Sequence, residues 1–529
     1  MKVVSLRLLL PDWESTLLAI LSAILLILAF PDFEIWILAW FALMPLLWAV
    51  TREKDSFARS FTLGWLFGFI FFSGTCWWLT YAPINYAGFP PVIAYFLLFC
   101  LTAVVGLFPG LFAGLLAMLM RRFGQIAILA APFVWIFTEF ARYWLTGNNW
   151  NAIGYSQAFT ETTLSFSKFG GVSLVGFLPL LFSSIILYWL SKLSRYHVLV
   201  VAFFIALVFS DLNTIEPISK FNGFALDPSI DSVLALRSPK ANVVAIQPNV
   251  PMSGLNYEKW RQLRQKHVDL AELGLSQLPA ENRPMTTVVF PESPMNFIYD
   301  EDPEFQQFVS TFAAKNDVNV LFNSAEPDPE NKRYFNSAVL VNSEGREIAQ
   351  YDKIYLVPFG ESVPAPLQSI VPAFVGSFSY GKEYDLLPLG DAKAGVMICF
   401  ESHFGELSRE YIRNGADVMI ELTNDGYLGP TPVLRQHLAN AVFRAVETNR
   451  PVLRVTNVGI TAYINERGEV LDASDPYTET TRVWSVAKSD GGQTFYVKNG
   501  DWFAWICSIV TLALIGLSFI RRRKARNSE

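Results

Sequence analysis

Residues 394–401, Ala-Gly-Val-Met-Ile-Cys-Phe-Glu, form a short apolar run that ends in Cys399 and Glu401. An apolar run of this length, bounded by polar residues, is typical of a buried β-strand. The chain has three other cysteines, all in apolar stretches: Cys76, Cys100 and Cys507. Cys399 is therefore a lone thiol in a polar region, where it is either a small buried hydrophobic residue or a nucleophile.

Similar runs recur along residues 213–498 and alternate with helical patterns. The strand-like runs occupy residues 242–246, 286–290, 318–322, 338–341, 395–399, 417–422 and 452–455. The helical patterns occupy residues 257–275, 303–314, 404–414 and 431–448. A further extended stretch begins at Val470 after a turn at 465–468. Alternating strands and helices predict an α/β sheet domain whose reactive groups lie at strand ends.

The chain as a whole is too apolar for a soluble protein. Its 529 residues are 52% hydrophobic and only 17% charged, whereas soluble proteins average about 25% charged residues. A helix needs roughly 20 residues to cross a membrane. Apolar stretches of about this length or longer occupy residues 14–30, 34–50, 61–80, 91–120, 125–144, 170–191, 196–211 and 501–520. We therefore predict a membrane domain with seven transmembrane helices at 1–212, a soluble domain at 213–498, and an eighth helix with a basic tail at 499–529.

Positive residues between these stretches predict the topology, because cytoplasmic links are enriched in Lys and Arg. One set of alternate links carries fourteen of them: Lys2, Arg7, Arg52, Lys54, Arg59, Arg121, Arg122, Lys192, Arg195, Arg521, Arg522, Arg523, Lys524 and Arg526. The opposite links carry only Lys168, or two positive residues if Arg142, near the end of the stretch 125–144, is counted with them. The asymmetry places both termini in the cytoplasm and residues 213–498 outside. The net charge of −6 and the lack of a basic patch in the polar region predict no nucleic-acid partner.

Three strand-terminal motifs carry the candidate chemistry. Residues 290–293, Phe-Pro-Glu-Ser, place Glu292 just after an apolar run, and residues 351–361 contain Lys353 and Glu361. Cys399 ends a third run. A cysteine that attacks a carbonyl needs a base for the thiol proton and a cation or donor for the oxyanion. Glu292 fits the first role and Lys353 the second.

Each of these residues also has a structural interpretation. Glu292 could cap the turn after its strand, Lys353 could be a solvated lysine, and Glu361 could be a surface charge of a loop rich in Pro and Gly. The appearance of Glu292, Lys353 and Cys399 in three separate strand-terminal motifs favours catalysis. His403 and His437 are less favoured as a base for the thiol, since no Asn or Asp partner motif accompanies them.

The order Glu, Lys, Cys within these motifs resembles the carbon–nitrogen hydrolase (nitrilase) superfamily. With membrane spans on both sides, the whole chain resembles the bacterial apolipoprotein N-acyltransferase family. The resemblance extends through residues 423–429 (Thr-Asn-Asp-Gly-Tyr-Leu-Gly), 435–437 (Arg-Gln-His), 444–447 (Arg-Ala-Val-Glu) and 449–461. It implies a four-layer αββα sandwich for the soluble domain, in a protein of the bacterial inner membrane with its catalytic domain in the periplasm.

The resemblance also implies the reaction. Cys399 would attack the sn-1 ester of a phospholipid donor and form a thioester, which the α-amino group of a diacylglyceryl-cysteine at an apolipoprotein N-terminus would accept. Glu361 would orient Lys353, and Glu401 would shape the pocket near Cys399. No cofactor is implied. Four scattered histidines without CxxC or HExxH motifs predict no metal site.

Two residues depart from the family pattern, and a third matches it weakly. Phe400 stands where the family usually has Tyr, so a role that needs the hydroxyl is lost. Tyr427 and Leu428 replace a usual Trp-Phe pair, which affects the entrance for lipid or acceptor. Trp260 is the one candidate for a tryptophan that follows the first strand in the family. We expect Trp260, Phe400 and Tyr427 to contact substrate.

Two other functions fit parts of this pattern. A membrane-tethered nitrilase-type amidase would use the same Glu, Lys and Cys chemistry with water as the acceptor, but a tether needs one span rather than eight. A receptor or assembly factor would use the α/β domain for binding alone, and the retention of three reactive residues in order argues against it.

The charge asymmetry predicts the outcome of reporter fusions. A periplasm-active reporter fused after Pro217 should be active, and the same reporter fused after Arg526 should be silent, because the two positions lie on opposite sides of the eighth span. Enzymatic activity of both fusions in intact cells is the measurement. The reverse pattern would contradict the external position of Cys399.

Overall fold

The computed structural model describes residues 9–31, 33–192, 241–292, 297–363 and 378–527. The chain divides into two compact units. The first comprises Met1–Thr160, Val172–Ala225 and Asp501–Glu529, and the second comprises Glu161–Gly171 and Leu226–Gly500.

The first unit is helical. Its α-helices are Trp13–Leu28, Ala39–Ala42, Met44–Glu53, Phe57–Thr75, Tyr81–Asn85, Pro91–Val105, Leu107–Phe123, Ala131–Thr146 and Trp502–Asn527, and Ser167–Leu190 begins in the second unit. Five helical stretches of the described chain are long and apolar enough to cross a membrane: Phe57–Thr75, Pro91–Phe123, Gln125–Thr146, Ser167–Leu190 and Trp502–Arg521. Trp13–Leu28 is a shorter apolar helix.

Small residues allow two of these helices to pack closely. A Cβ on Gly64 would lie 2.1 Å from the Pro109 carbonyl oxygen, so the helix Phe57–Thr75 approaches the backbone of Leu107–Phe123 directly. The predicted span 91–120 is a helical stretch interrupted at Gly106, and 34–50 forms short helical segments rather than one long helix. The predicted span 196–211 lies outside the described residues.

The second unit contains thirteen strands within its described residues. They are β1 Ala241–Gln247, β2 Thr286–Val289, β3 Asn319–Asp328, β4 Arg333–Val341, β5 Glu347–Asp352, β6 Phe378–Ser379, β7 Leu386–Leu389, β8 Ala392–Ile398, β9 Val418–Thr423, β10 Val452–Thr456, β11 Ala462–Ile464, β12 Val470–Leu471 and β13 Thr480–Val486. One sheet has the order β13-β1-β2-β3-β4-β5 with β6 beside β4, and the other has the order β12-β11-β10-β9-β8-β7.

Helices cover both sheets. The α-helices of this unit are Glu161–Leu164, Tyr257–Leu275, Pro303–Asn316, Gly405–Arg413, Val433–Thr448 and Phe495–Asn499. Tyr257–Leu275 and Pro303–Asn316 share one apolar core with the first sheet. Tyr411, on Gly405–Arg413, lies on the second sheet, where its hydroxyl donates to the Val396 carbonyl at 2.5 Å.

The two sheets face each other through their inner surfaces. The Thr456 hydroxyl of β10 donates to Gln247 Oε1 of β1 at 3.0 Å, a bond that crosses from one sheet to the other. The arrangement is a four-layer αββα sandwich, as predicted. The predicted helix 257–275 is confirmed at both ends, and the other predicted elements agree with the observed ones to within a few residues at most boundaries.

The sandwich brings three strand ends to one place. Glu292 follows β2, Lys353 follows β5 directly, and Cys399 follows β8 directly. Since β2 and β5 belong to the first sheet and β8 to the second, the candidate site lies between the two sheets.

Candidate active site

Cys399 lies at a sharp change from strand to turn. It directly follows β8, begins the 3₁₀ turn Cys399–His403, and has a φ of +54°. This left-handed conformation is unfavourable for a residue with a side chain and persists only where surrounding contacts enforce it. One such contact is the Cys399 carbonyl oxygen, which lies 3.0 Å from His437 Nε2.

The Glu292 carboxylate is held on both of its oxygens. Asn336 Nδ2 donates to Oε1 at 3.2 Å, and the Asn424 backbone N–H donates to Oε2 at 3.0 Å. The Cys399 thiol lies close enough to this carboxylate for the two groups to interact electrostatically. Burial raises the pKa of Glu292 above the ordinary carboxyl value, and Glu361 adds to this effect while Lys353 opposes it.

Lys353 is a fully buried cation. Its side chain has no exposed area, and Nζ lies 2.9 Å from Glu361 Oε1 and 2.8 Å from Oε2. Burial alone would lower the pKa of Lys353, but the Glu361 and Glu292 carboxylates outweigh burial and raise the pKa above its ordinary value. Lys353 therefore carries its charge at neutral pH, and the interpretation of a solvated lysine does not apply.

The Cys399 thiol is protonated when the site is at rest. Burial raises the pKa of Cys399 well above the ordinary thiol value, and the Glu292 carboxylate raises it further, while Lys353 opposes both effects. The thiolate is the nucleophilic form of cysteine. For Cys399 to attack a carbonyl carbon, a neighbouring base must therefore take the thiol proton. Glu292 is the carboxylate within reach.

Asn336 is a part of the site that the sequence did not reveal. Its Nδ2 donates to Glu361 Oε1 at 2.7 Å as well as to Glu292, and its Oδ1 accepts from Asn323 Nδ2 at 2.7 Å. The amide thus links the two carboxylates that flank Lys353. In the sequence, Asn336 is notable only as an Asn within a strand, a residue type that strands disfavour. Its partner carboxylates are distant in the chain, so the sequence does not indicate what the amide contacts.

Glu401 is buried and accepts four hydrogen bonds. Oε1 accepts from the Tyr351 hydroxyl at 2.8 Å and from the backbone N–H groups of Ile354 and Tyr355 at 2.7 and 3.0 Å. Oε2 accepts from the Ile398 N–H at 2.9 Å. Burial raises the pKa of Glu401 to about 7, although Lys353 and these donors oppose it. Glu401 therefore ties the loop after Lys353 to the strand end before Cys399.

The three aromatic candidates occupy different environments. The Phe400 ring packs against His403 and Phe404, with ring centroids 5.7 and 5.1 Å apart. Tyr427 is 44% exposed, in the turn Asp425–Leu428. Trp260 packs against the core of the first sheet, and the described contacts do not join it to Glu292, Lys353 or Cys399.

The structure thus brings Glu292, Lys353, Glu361, Cys399 and Glu401 into one connected site. His437 contacts the Cys399 backbone rather than a thiol, which differs from a Cys–His dyad. Among the described residues, the structure contains no group of three or more His, Cys, Asp or Glu side chains that could hold a metal ion.

Comparisons with known proteins define the class and then the family. The carbon–nitrogen hydrolase family model matches residues 240–495, so the αββα unit is a carbon–nitrogen hydrolase domain. The model for the apolipoprotein N-acyltransferase N-terminal domain matches residues 22–185. The apolipoprotein N-acyltransferase of Geobacter metallireducens is 30% identical over 98% of this chain and 98% of its own. That of Thermotoga maritima is 28% identical over 97% of this chain and 95% of its own.

The chain belongs to the apolipoprotein N-acyltransferase family. It is accordingly a membrane-associated acyltransferase, and the resemblance identified from the sequence is confirmed. Among solved structures, Saccharomyces cerevisiae Nit3, a member of branch 10 of the nitrilase superfamily, is 20% identical with a TM-score of 0.37, over 48% of this chain and 92% of its own.

Replacement of Glu401 by Gln should disturb the site because one of its two acceptor oxygens becomes a hydrogen-bond donor. If the Gln oxygen keeps the three donors at Oε1, its amide N–H₂ must face the Ile398 N–H, which loses its acceptor. We expect Glu401→Gln to destabilise the protein by about 1–3 kcal/mol and to slow acylation of Cys399. Thermal unfolding and the acylation rate measure the two effects.

Glu406→Gln is the matched control for this prediction. Glu406 is exposed on the neighbouring helix, so its replacement should change stability by no more than about 0.5 kcal/mol. A Glu401→Gln variant as stable and as active as the Glu406→Gln variant would contradict the bridging role of Glu401.

Proposed function

We propose that this protein transfers the sn-1 acyl chain of a phospholipid, through a thioester on Cys399, to the α-amino group of a diacylglyceryl-cysteine at the N-terminus of an apolipoprotein. The observation that carries the proposal is the convergence of Glu292, the fully buried Lys353 cation and Cys399 at neighbouring strand ends of the two sheets, with Lys353 held by both oxygens of Glu361. The family supplies the substrate class, since its curated relatives are named apolipoprotein N-acyltransferases.

In the first half of the proposed reaction, Glu292 takes the Cys399 proton and the sulfur attacks the carbonyl carbon of the phospholipid ester. The C–S bond forms, and the carbonyl oxygen becomes an oxyanion. Its collapse breaks the bond to the glycerol oxygen, which takes the proton back from Glu292 and leaves as a lysophospholipid alcohol. The acyl chain remains on Cys399 as a thioester.

Lys353 stabilises the oxyanion in this scheme. A buried cation acts most strongly where water is excluded, and the Lys353 side chain is fully buried. Glu361, with both oxygens within 3 Å of Nζ, orients the ammonium group. Glu361 and Glu401 are therefore positioning residues for the chemistry.

In the second half, the neutral α-amino group of the acceptor attacks the thioester carbon. Glu292 takes the proton from the nitrogen, the C–N bond forms, the C–S bond breaks, and the sulfur recovers a proton. Only the unprotonated amine has the lone pair that this step needs, so an acetylated or protonated acceptor cannot discharge the enzyme.

The proposed location is the bacterial inner membrane, with the catalytic domain in the periplasm and both termini in the cytoplasm. The charge asymmetry of the links supports this topology. The link at 145–169, predicted on the outer side, supports it further, because Glu161–Gly171 clusters with the catalytic unit and Lys168 Nζ donates to Asn449 Oδ1 at 2.7 Å. The proposed layout keeps seven helices in 1–212, the catalytic domain at 213–498, and the eighth helix in 499–529.

Phe400 and Tyr427 are proposed as contacts for the lipid chains. Phe400 follows the nucleophile directly and packs in a row of rings with Phe404 and Tyr355. Tyr427 exposes 44% of its surface two residues after the turn begins at Asp425. Trp260, which is partly buried against the core of the first sheet, makes no described contact that supports the substrate role implied for it.

Lys353→Arg should lose most of the activity although it keeps the charge. The buried pocket holds a compact ammonium with both Glu361 oxygens, and the planar, larger guanidinium cannot take that place without moving them. We expect at least a tenfold fall in the acylation rate. Lys393→Arg, at an exposed position on β8, is the control and should retain the wild-type rate, and a fully active Lys353→Arg enzyme would refute the oxyanion role.

Intact-mass spectrometry of the purified full chain tests the whole scheme. Incubation with phospholipid alone should add one acyl mass, and the adduct should persist for minutes because the thioester waits for an amine. A diacylglyceryl-cysteinyl peptide should discharge it quickly, whereas the same peptide with a blocked α-amino group should not. Cys399→Ala should form no adduct.

Two outcomes would contradict the proposal in different ways. Rapid loss of the acyl mass in water, unaffected by the peptide, would instead support the nitrilase-type hydrolase. An adduct that forms equally on the Cys399→Ala variant would exclude Cys399 as the nucleophile.

A further inference from the structure

Four charged side chains form a buried cluster on the inner side of the Cys399 backbone. They are Glu421, Asp425, His437 and Arg454, and none of their side chains is more than 3% exposed. Glu421 and Arg454 lie directly opposite each other on β9 and β10. Asp425 lies in the turn after β9, and His437 lies on the helix Val433–Thr448.

Each of the two basic side chains in this cluster contacts both carboxylates. Arg454 contacts Glu421 Oε1 at 2.6 Å through one terminal nitrogen and Asp425 Oδ2 at 2.7 Å through the other. His437 Nδ1 lies 2.7 Å from Asp425 Oδ1. His437 Nε2 lies 3.1 Å from Glu421 Oε1 and 3.0 Å from the Cys399 carbonyl oxygen. Two cations therefore balance two carboxylates, and the cluster contacts Cys399 at its carbonyl oxygen.

Charge balance keeps the imidazole protonated. Burial and Arg454 lower the pKa of His437, but Asp425 and Glu421 outweigh them and raise it to about 9. Both ring nitrogens then carry a hydrogen and can only donate. Nε2–H consequently donates to the Cys399 carbonyl rather than accepting a proton from the thiol.

We propose that His437 is a positioning residue for acyl transfer, because its Nε2–H holds the Cys399 carbonyl and so fixes the peptide between Cys399 and Phe400. The inference rests on the proposed role of Cys399 as nucleophile. It assigns to His437 no proton transfer with substrate.

The conformation of Cys399 explains why such a hold is needed. A φ of +54° is a strained conformation for a residue with a side chain, and it persists only where surrounding contacts hold it. Glu401 holds the Met397–Ile398 peptide, one peptide before that of Cys399, through the Ile398 N–H. His437 holds the Cys399–Phe400 peptide through the Cys399 carbonyl. Rotation of the Cys399–Phe400 peptide would change the backbone conformation of Cys399 and with it the direction of the thiol. The Phe400 N–H lies opposite the held carbonyl in the same planar peptide, so the hold also sets its direction.

Two substitutions of His437 separate this role from mere packing. In His437→Gln, the amide Nε2 lies the same number of bonds from Cα as the imidazole Nε2, so it can still donate to the Cys399 carbonyl. In His437→Asn, the amide ends one bond earlier, at the place of Nδ1, and can reach Asp425 but not Cys399. Both variants remove the ring and its charge.

The measurement is single-turnover acylation of the purified full chain over a range of phospholipid concentrations, followed by intact mass. For His437→Asn we expect the maximal rate to fall at least tenfold while the half-saturating phospholipid concentration stays unchanged, because the donor site is intact and the nucleophile is misplaced. For His437→Gln we expect a maximal rate within about threefold of wild type. Thermal unfolding identifies any loss of folded protein.

The outcomes distinguish a failure of this inference from a failure of the proposed function on which it rests. A wild-type maximal rate in His437→Asn would overturn it, and so would an equal loss in two folded variants. If His437→Asn does not fold, a folded His437→Gln enzyme that loses more than tenfold would also overturn it. The absence of an acyl adduct on the wild-type enzyme would instead refute the role of Cys399 itself.

Discussion

The burial of the Lys353 ammonium between two β-sheets is the constraint on which the site depends. A buried charge is costly unless it is paired and hydrogen-bonded, and the structure meets this condition with both oxygens of Glu361. Asn336 then satisfies Glu361 and Glu292 together. The raised pKa of Glu292 follows from the same burial, so the base, the cation and the thiol acquire their properties from one enclosed space.

The two sheets contribute unequal parts to that space. The first sheet supplies Glu292 and Lys353 after β2 and β5, and the second supplies Cys399 after β8. Glu401 crosses between them, since it accepts from the Tyr351 hydroxyl of β5 and from the Ile398 N–H of β8. The proposed chemistry therefore requires both sheets to stay packed together, and a substitution that loosens them is expected to separate Glu292 from Cys399.

Two groups of buried charge lie near Cys399. Lys353 and Glu292 interact with its thiol, and Lys353 is paired with Glu361. The cluster of Glu421, Asp425, His437 and Arg454 contacts its backbone carbonyl through His437. A buried ion pair is weak evidence for stability, because desolvation offsets much of the attraction. Its value here is geometric, because His437 holds the carbonyl of Cys399, whose backbone has a strained, positive φ.

The sequence alone determined the αββα class, the apolar helical region and the family, and it singled out the three residues that we propose for the chemistry. Strand periodicity, span length and the motifs around Glu292, Lys353 and Cys399 are local signals. Tertiary structure alone decided three other features. The pairing of β13 with β1 joins residues 480–486 to 241–247, Asn336 bridges carboxylates that are distant in the chain, and His437 holds the Cys399 carbonyl 38 residues away. Such contacts depend on how distant strands and helices meet when charge and apolar surface are buried, and no local pattern encodes them.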